Sequence, residues 1–274
     1  MISQQKTLFD SIDPEILDTL ASRREEIAKG ASADSKIVAA LALGSIPIAL
    51  AALSKDVYGQ TATDVLDVLQ FALQLEYLEA EFYNRGVAAA GLIPAADLPI
   101  FQTIQKHEND HVAALKSFIT ARGQAPGAKP AKFDFTAKGN LAGFNFLPTQ
   151  YATFQALAQA FEDTGVRAYK GQASRLINDK PALNAALSIH AVEARHACEI
   201  RRLRNLKGWI TQNSRDDLPA FTQPIYNEED NGTQAGLNIA ALGNGNGGFN
   251  AVTEAFDEPL TKQQVLFIVS PFIT

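Results

Sequence analysis

The sequence predicts an all-α protein whose central part is a four-helix bundle with one long crossover between its second and third helices. Three observations predict this fold. Four long stretches between residues 61 and 207 repeat apolar residues at helical spacing. Short turns join the first stretch to the second and the third to the fourth, whereas a segment rich in glycine, proline and lysine, residues 123–148, joins the second to the third. Connections that are short, long and short are typical of a bundle made of two helical hairpins.

Residues 1–60 are predicted to form either N-terminal helices or an export signal. An apolar run over residues 37–53 is slightly short for an ordinary membrane span. The pair Arg23-Arg24 ahead of it resembles a twin-arginine signal, which implies a periplasmic protein with membrane contact through this run, as a leader or an anchor. Acidic residues directly after the arginine pair depart from such signals. Retained helices in a cytoplasmic protein therefore stay open as the alternative.

Residues 61–207 hold the four predicted helices, at about 61–90, 97–122, 149–178 and 181–207. Glycine and proline residues between them end one helix and start the next. The crossover contains aromatic side chains that we expect to hold it against the bundle, namely Phe133, Phe135, Phe144 and Phe146.

Residues 208–274 are predicted to be an irregular extension that lies over the bundle. Near its end, Thr261 and Gln264 have the spacing of a capping box. They predict a short apolar helix that ends at Val269.

The composition narrows the classes of partner and of metal site. The chain has 30 acidic and 24 basic residues, a net charge of −6, and no basic stripe with interleaved aromatic residues, so nucleic acid is not an expected partner. Its single cysteine, Cys198, excludes a disulfide within the chain and any cysteine-rich metal site. A metal would have to be bound by carboxylates and imidazoles.

Residues of that kind recur at matching positions in the four helices. Glu108 and His111 in the second helix, and Glu193 and His196 in the fourth, are each three residues apart and therefore lie on one helix face. The first and third helices each add a glutamate near the midpoint. The predicted metal ligands are therefore Glu76, Glu108, His111, Glu162, Glu193 and His196.

The positions of these residues relative to the turns support a common site. In an antiparallel hairpin, residues at the same level are equally far from the turn. The midpoint of Glu76 and Glu108 falls at residue 92, in the first turn, and that of Glu162 and Glu193 falls beside the second turn. The two Glu-x-x-His pairs are 85 residues apart and the other two glutamates 86. We therefore expect two half-sites related by a pseudo-twofold axis.

Four carboxylates at one level of a core would repel one another and be costly to desolvate unless cations neutralised them. Two divalent metals supply the required charge. A mixed set of oxygen and nitrogen ligands suits iron or manganese and tolerates zinc. The sequence therefore predicts two iron ions, with manganese and zinc as alternatives.

For five nearby residues we predict mainly supporting or packing roles instead of direct metal ligation. Glu79 lies one turn from the first-helix ligand and is a substitute for it or a supporting residue. His107 directly precedes Glu108 and is predicted to point away from the site. Tyr83 and Tyr169 lie two turns, about 10 Å, from the glutamates of their own helices and are predicted mainly to pack the bundle. Asp163 is predicted to be solvated or to support a ligand.

Over residues 65–203 the chain resembles the ferritin-like di-iron carboxylate superfamily, and residues 255–262 are similar to the subgroup often described as desiccation-related. The resemblance implies that the glutamates of the first and third helices are terminal ligands and that those of the second and fourth bridge the metals. Each histidine would bind one metal.

The leading hypothesis for such a centre is redox handling of iron, dioxygen or peroxide during stress, either as ferroxidase-like oxidation or as removal of peroxide. Two alternatives stay open. One is a manganese catalase-like enzyme, although the second Glu-x-x-His pair departs from the usual pattern of that class. The other is a structural or stress-protective assembly protein in which metals only stabilise the bundle. In each case we expect a homo-oligomer.

Overall fold

A computed structural model of the protein describes residues 62–245 and 247–273. The predictions for residues 1–60, including the N-terminal helices and the apolar run 37–53, lie outside the described residues. None of the helices in the described part has the length and apolar character needed to cross a membrane.

The all-α prediction is confirmed, and four long helices run in two hairpins. Their bounds are α1 Ala62–Ala88, α2 Leu98–Ala121, α3 Tyr151–Ala173 and α4 Lys180–Leu203. Three of the four helices end within four residues of the predicted positions. The third ends earlier than predicted, because its last turn tightens into a 3₁₀ turn at Ser174–Leu176.

Local residues explain where the hairpins turn. Gly91 follows α1 with a φ of +76°, a left-handed conformation that glycine adopts without steric cost. Asp179 precedes α4, and its carboxylate accepts a hydrogen bond from the backbone N–H of Ala182 at 2.9 Å. The same carboxylate pairs with Arg122 at the end of α2, at 2.7 Å. This contact joins the end of one hairpin to the turn of the other.

The crossover packs on the bundle through aromatic side chains, as predicted. Phe133, Phe135 and Phe144 are buried, and Phe146 packs partly buried against the same core. Phe82 of α1 stacks on Phe154 of α3 with ring centroids 4.7 Å apart, and the crossover rings surround this pair.

The C-terminal extension is irregular with short elements. These are a 3₁₀ segment Ala220–Ile225, a two-stranded antiparallel ribbon of β1 Thr233–Gln234 and β2 Leu237–Asn238, a 3₁₀ turn Ala240–Gly243, and helices α5 Gly248–Thr253 and α6 Lys262–Val269. Thr261 caps α6 in a capping box with Gln264, so the predicted terminal helix is confirmed.

The extension is anchored to α3 by a buried arginine. The guanidinium of Arg167 pairs with the Glu229 carboxylate at 2.7 Å and donates a hydrogen bond to the carbonyl of Glu258 at 2.7 Å. The backbone N–H of Leu260 donates to the Arg167 carbonyl at 3.0 Å. Gly171 permits this approach, since a Cβ there would lie 1.8 Å from the Leu260 carbonyl oxygen. Because α3 packs on the bundle and also contacts the extension, every residue of α3 from 157 to 169 is buried.

Candidate metal centre

The six predicted ligands meet in the middle of the bundle. They form two overlapping groups, each of three carboxylates and one imidazole, and the two groups share Glu108 and Glu193. The four glutamates are completely buried, and the two histidines are nearly so. The full set is Glu76, Glu108, His111, Glu162, Glu193 and His196.

Both imidazoles point the same nitrogen at the carboxylates. Nδ1 of His111 lies 3.2 Å from Glu76, 3.3 Å from Glu108 and 3.2 Å from Glu193. Nδ1 of His196 lies 2.9 Å from Glu108, and 3.2 Å from both Glu162 and Glu193. The carboxylates of Glu108 and Glu193 therefore face both imidazoles, whereas those of Glu76 and Glu162 face one each.

The arrangement leaves buried oxygens unsatisfied. One N–H can make one good hydrogen bond, so it cannot satisfy three carboxylates at once. Among the described residues, one oxygen of each glutamate has no hydrogen-bond partner: Glu76 Oε2, Glu108 Oε1, Glu162 Oε2 and Glu193 Oε1. Buried polar atoms of this kind are costly unless something binds them. Converging carboxylate oxygens and imidazole nitrogens fit divalent metal ions, so the cluster is compatible with metal binding.

Without metal, protons must compensate the negative charge. Burial raises the pKa of Glu108 well above its usual value, with a further rise from Glu193, and burial raises the pKa of Glu162 to about 7. Burial alone would lower the pKa of His196, but the surrounding carboxylates outweigh it and raise the pKa to about 12. The pKa of His111 is raised for the same reason. The two imidazoles outweigh burial at Glu193 and lower its pKa to about 2.

The two tyrosines contact the cluster across the bundle. The Tyr83 hydroxyl donates a hydrogen bond to Glu162, and the Tyr169 hydroxyl donates one to Glu76. Both tyrosines do pack in the core, as predicted, but the prediction missed these bonds because it considered only the glutamate of the same helix. α1 and α3 are antiparallel. A tyrosine two turns beyond the glutamate of its own helix therefore comes within reach of the glutamate of the other helix. The shared 86-residue offset was the signal that could have revealed this.

Glu79 lies beside the cluster without belonging to either group. It is 4% exposed, and its oxygen Oε1 would lie 3.3 Å from a Cβ placed on Gly165. The same Cβ would lie 3.6 Å from Cγ of Glu193. Burial, followed by repulsion from Glu193, raises the pKa of Glu79 well above its usual value. Gly165 is the repeat counterpart of Glu79, so the glycine provides the space that this extra carboxylate occupies.

The prediction that His107 points away from the site is wrong. Its Nδ1 lies 3.0 Å from Nε2 of His196, and the two rings are stacked with centroids 5.3 Å apart. Adjacent positions on a helix point about 100° apart, but an imidazole is long enough to reach the facing helix. His107 is half-buried and therefore links the buried cluster to the surface.

Asp163 is buried, so the alternative of a solvated side chain is wrong. Its carboxylate binds the guanidinium of Arg201 through two bonds of 2.6 and 3.2 Å, and it accepts a hydrogen bond from Tyr226 at 2.7 Å. The arginine is fully buried, and such bidentate pairs have a well-defined geometry. The contact joins α3 to α4 and to the C-terminal extension.

Comparison with known protein families identifies the bundle. The profile of the family described as "Ferritin-like domain" matches residues 64–206, which include the four long helices except the first two residues of α1, and all six clustered residues. The chain therefore belongs to the ferritin-like domain family. A search of curated proteins gave no match.

Proposed function

We propose that the protein binds two metal ions at the six-residue cluster and uses them for redox handling of iron, dioxygen or peroxide. The observation that carries this proposal is the set of four completely buried glutamates, each with an oxygen that lacks a partner among the described residues, around two imidazole nitrogens. Membership of the ferritin-like family supports the metal-binding part of the proposal.

The contacts support different coordination roles, bridging and terminal, for the glutamate ligands. Glu108 and Glu193 would bridge the two metals, since each lies close to both imidazoles. Each metal would also have one terminal glutamate and one histidine. The remaining pairs are Glu76 with His111 and Glu162 with His196. Iron is the proposed metal, and manganese and zinc are alternatives with the same ligand types.

Redox-active metals at this position would supply the electrons that dioxygen or peroxide accepts. The surrounding residues would keep the metals at a fixed spacing and limit the access of water, because the glutamates are completely buried. Tyr83 and Tyr169 would orient the two terminal glutamates through their hydrogen bonds. The likeness of residues 255–262 to the desiccation-related subgroup supports a role in stress protection.

A metal analysis combined with variants tests the proposal. We expect the protein purified without added metal, or reconstituted with Fe²⁺, to contain about two metals per chain and to consume dioxygen or peroxide. The double variant Glu108→Ala/Glu193→Ala should lose both metals and the turnover. Asp110→Ala is a matched control, because this carboxylate lies on the same helix as Glu108 and is exposed. Full metal retention in the double variant would contradict the ligand assignment.

A structural role is the second candidate, and the extent of the C-terminal extension favours it. In that case the metals would only stabilise the bundle, and copies of the chain would assemble into an oligomer. The two candidates differ in a measurable way. A loaded protein that turns over neither dioxygen nor peroxide, but whose oligomer in sedimentation experiments dissociates when metal is removed, would favour the structural role.

A further inference from the structure

The pseudo-twofold symmetry of the centre is broken at His107. Glu108 and Glu193 correspond to each other at an offset of 85 residues, as do His111 and His196. The residue directly before each bridging glutamate should correspond too. It is His107 in α2, but Val192 in α4. One half-site therefore has a second imidazole, that of His107, which the other half-site lacks.

The extra imidazole contacts the ligand nitrogen that faces away from the carboxylates. Nδ1 of His196 faces the three glutamates, so its lone pair would have to be free for this atom to bind a metal. The ring proton must then reside on Nε2, which lies 3.0 Å from Nδ1 of His107. In that state Nε2 of His196 would donate a hydrogen bond to Nδ1 of His107, which would favour this tautomer. The stacked rings, 14° from parallel, also restrict rotation of His196.

Within residues 62–245 and 247–273, the half-site of His111 has no corresponding support. Among the residues that the structure describes, Nε2 of His111 has no hydrogen-bond partner in the protein, and the side chain of Val192 cannot accept a hydrogen bond. Within the part of the chain that the structure describes, the orientation and tautomer of His111 therefore depend only on its contacts with the carboxylates.

We propose that His107 is a positioning residue for His196 and that it makes the two metal positions unequal. The position formed by Glu162 and His196 is the tighter one. This inference rests on the proposed function only in requiring that two metals bind. Loss of an outer partner of a ligating histidine typically weakens metal binding by about 10- to 100-fold, which sets the expected size of the difference.

Titration of the full-length, metal-free protein with Co²⁺ tests the proposal, followed by calorimetry and by the visible absorption of bound Co²⁺. We expect two binding steps in the wild-type protein. In His107→Val, which places valine on both halves, the tighter step should weaken by about 10- to 100-fold and approach the weaker one. The absorption bands of the first bound Co²⁺ should change, because the orientation of its imidazole ligand is no longer fixed.

Two further variants separate positioning from packing. In His107→Gln the side-chain amide oxygen can still accept a hydrogen bond. This variant should therefore keep part of the affinity of the tighter step and part of the wild-type absorption bands, both of which His107→Val should lose. Val192→Ala changes the corresponding residue of the other half and should leave the tighter step unchanged. Thermal unfolding of each metal-free variant verifies that it folds.

The outcomes distinguish this inference from the proposed function. If the wild-type protein binds two Co²⁺ ions and His107→Val leaves both steps unchanged, or weakens them equally, the positioning role is wrong and the metal-binding proposal stands. If the wild-type protein binds no Co²⁺, the proposed function itself fails.

Discussion

Tyr83, in the first hairpin, donates a hydrogen bond to Glu162, in the second. Tyr169, in the second hairpin, donates the corresponding hydrogen bond to Glu76 in the first. All four side chains are buried, so each bond is shielded from water and joins the two hairpins at the level of the candidate metal centre.

These two bonds predict equal losses of stability. Tyr83→Phe and Tyr169→Phe should each lower the free energy of unfolding of the metal-free protein at pH 8 by about 1.5 to 3 kcal/mol, because each leaves a buried carboxylate without its donor. Urea unfolding followed by circular dichroism measures the loss. Tyr151→Phe is a suitable control, since its bond to Asp97 is only partly buried. A loss in one variant alone would contradict the equivalence of the two bonds.

The raised pKa of Glu162 should make the stability of the metal-free protein depend on pH. Its pKa is raised to about 7 in the folded protein, so the folded state holds a proton that the unfolded chain releases near pH 4.5. Its contribution to stability is therefore present at low pH and is lost as the pH rises from about 4.5 to about 7. Glu162→Gln, which stays neutral, should lack this loss and be more stable than the wild-type protein at pH 8 by about 1 to 3 kcal/mol.

The measurement is urea unfolding at pH 5 and pH 8 after chelation of metal. The free energies of unfolding of the wild-type protein and of Glu162→Gln should differ more at pH 8 than at pH 5. If the difference were the same at both pH values, ionisation of Glu162 would carry no such cost.

Metal binding should release protons. In the metal-free state His196 has a pKa of about 12 and the pKa of His111 is also raised, so both imidazoles are protonated at neutral pH and must lose a proton to bind metal. Affinity should therefore fall as the pH decreases, by up to about tenfold per pH unit for each proton released. Calorimetry in two buffers of different ionisation enthalpy counts the protons. If no protons were released, the prediction that both imidazoles are protonated in the metal-free protein would be wrong.

The C-terminal extension should depend on Arg167. Replacing this buried arginine by methionine leaves Glu229 as an uncompensated buried charge, which typically costs about 3 to 5 kcal/mol. Arg175→Met is the matched control, because its ion pair with Asp67 is about one-third exposed and should contribute less than about 1 kcal/mol.

Limited proteolysis of the same variants reports on the extension itself. In Arg167→Met we expect faster cleavage within residues 208–261, where the chain has lost its anchor on α3, and an unchanged rate in Arg175→Met. Equal protection in both variants would show that the extension is held by its other contacts.

The sequence predicts those features that depend on spacing along one helix or across one turn. The hairpins, the level of the six clustered residues and the cap at Thr261 all follow from residues close together in the chain or symmetric about a turn. The contacts of His107 and Tyr83 join elements whose relative rotation only the packed bundle determines. The pair of Asp163 and Arg201 was missed for the same reason, since neither residue shows its partner in its own helix.

Each half of the candidate centre draws on both hairpins. The group around His111 takes Glu193 from the second hairpin, and the group around His196 takes Glu108 from the first. A single hairpin, expressed alone, would therefore lack a complete set of ligands. Under the proposed function, metal uptake and docking of the two hairpins are thermodynamically linked, so that the metals act as removable cross-links and chelation loosens the bundle along the plane between its hairpins.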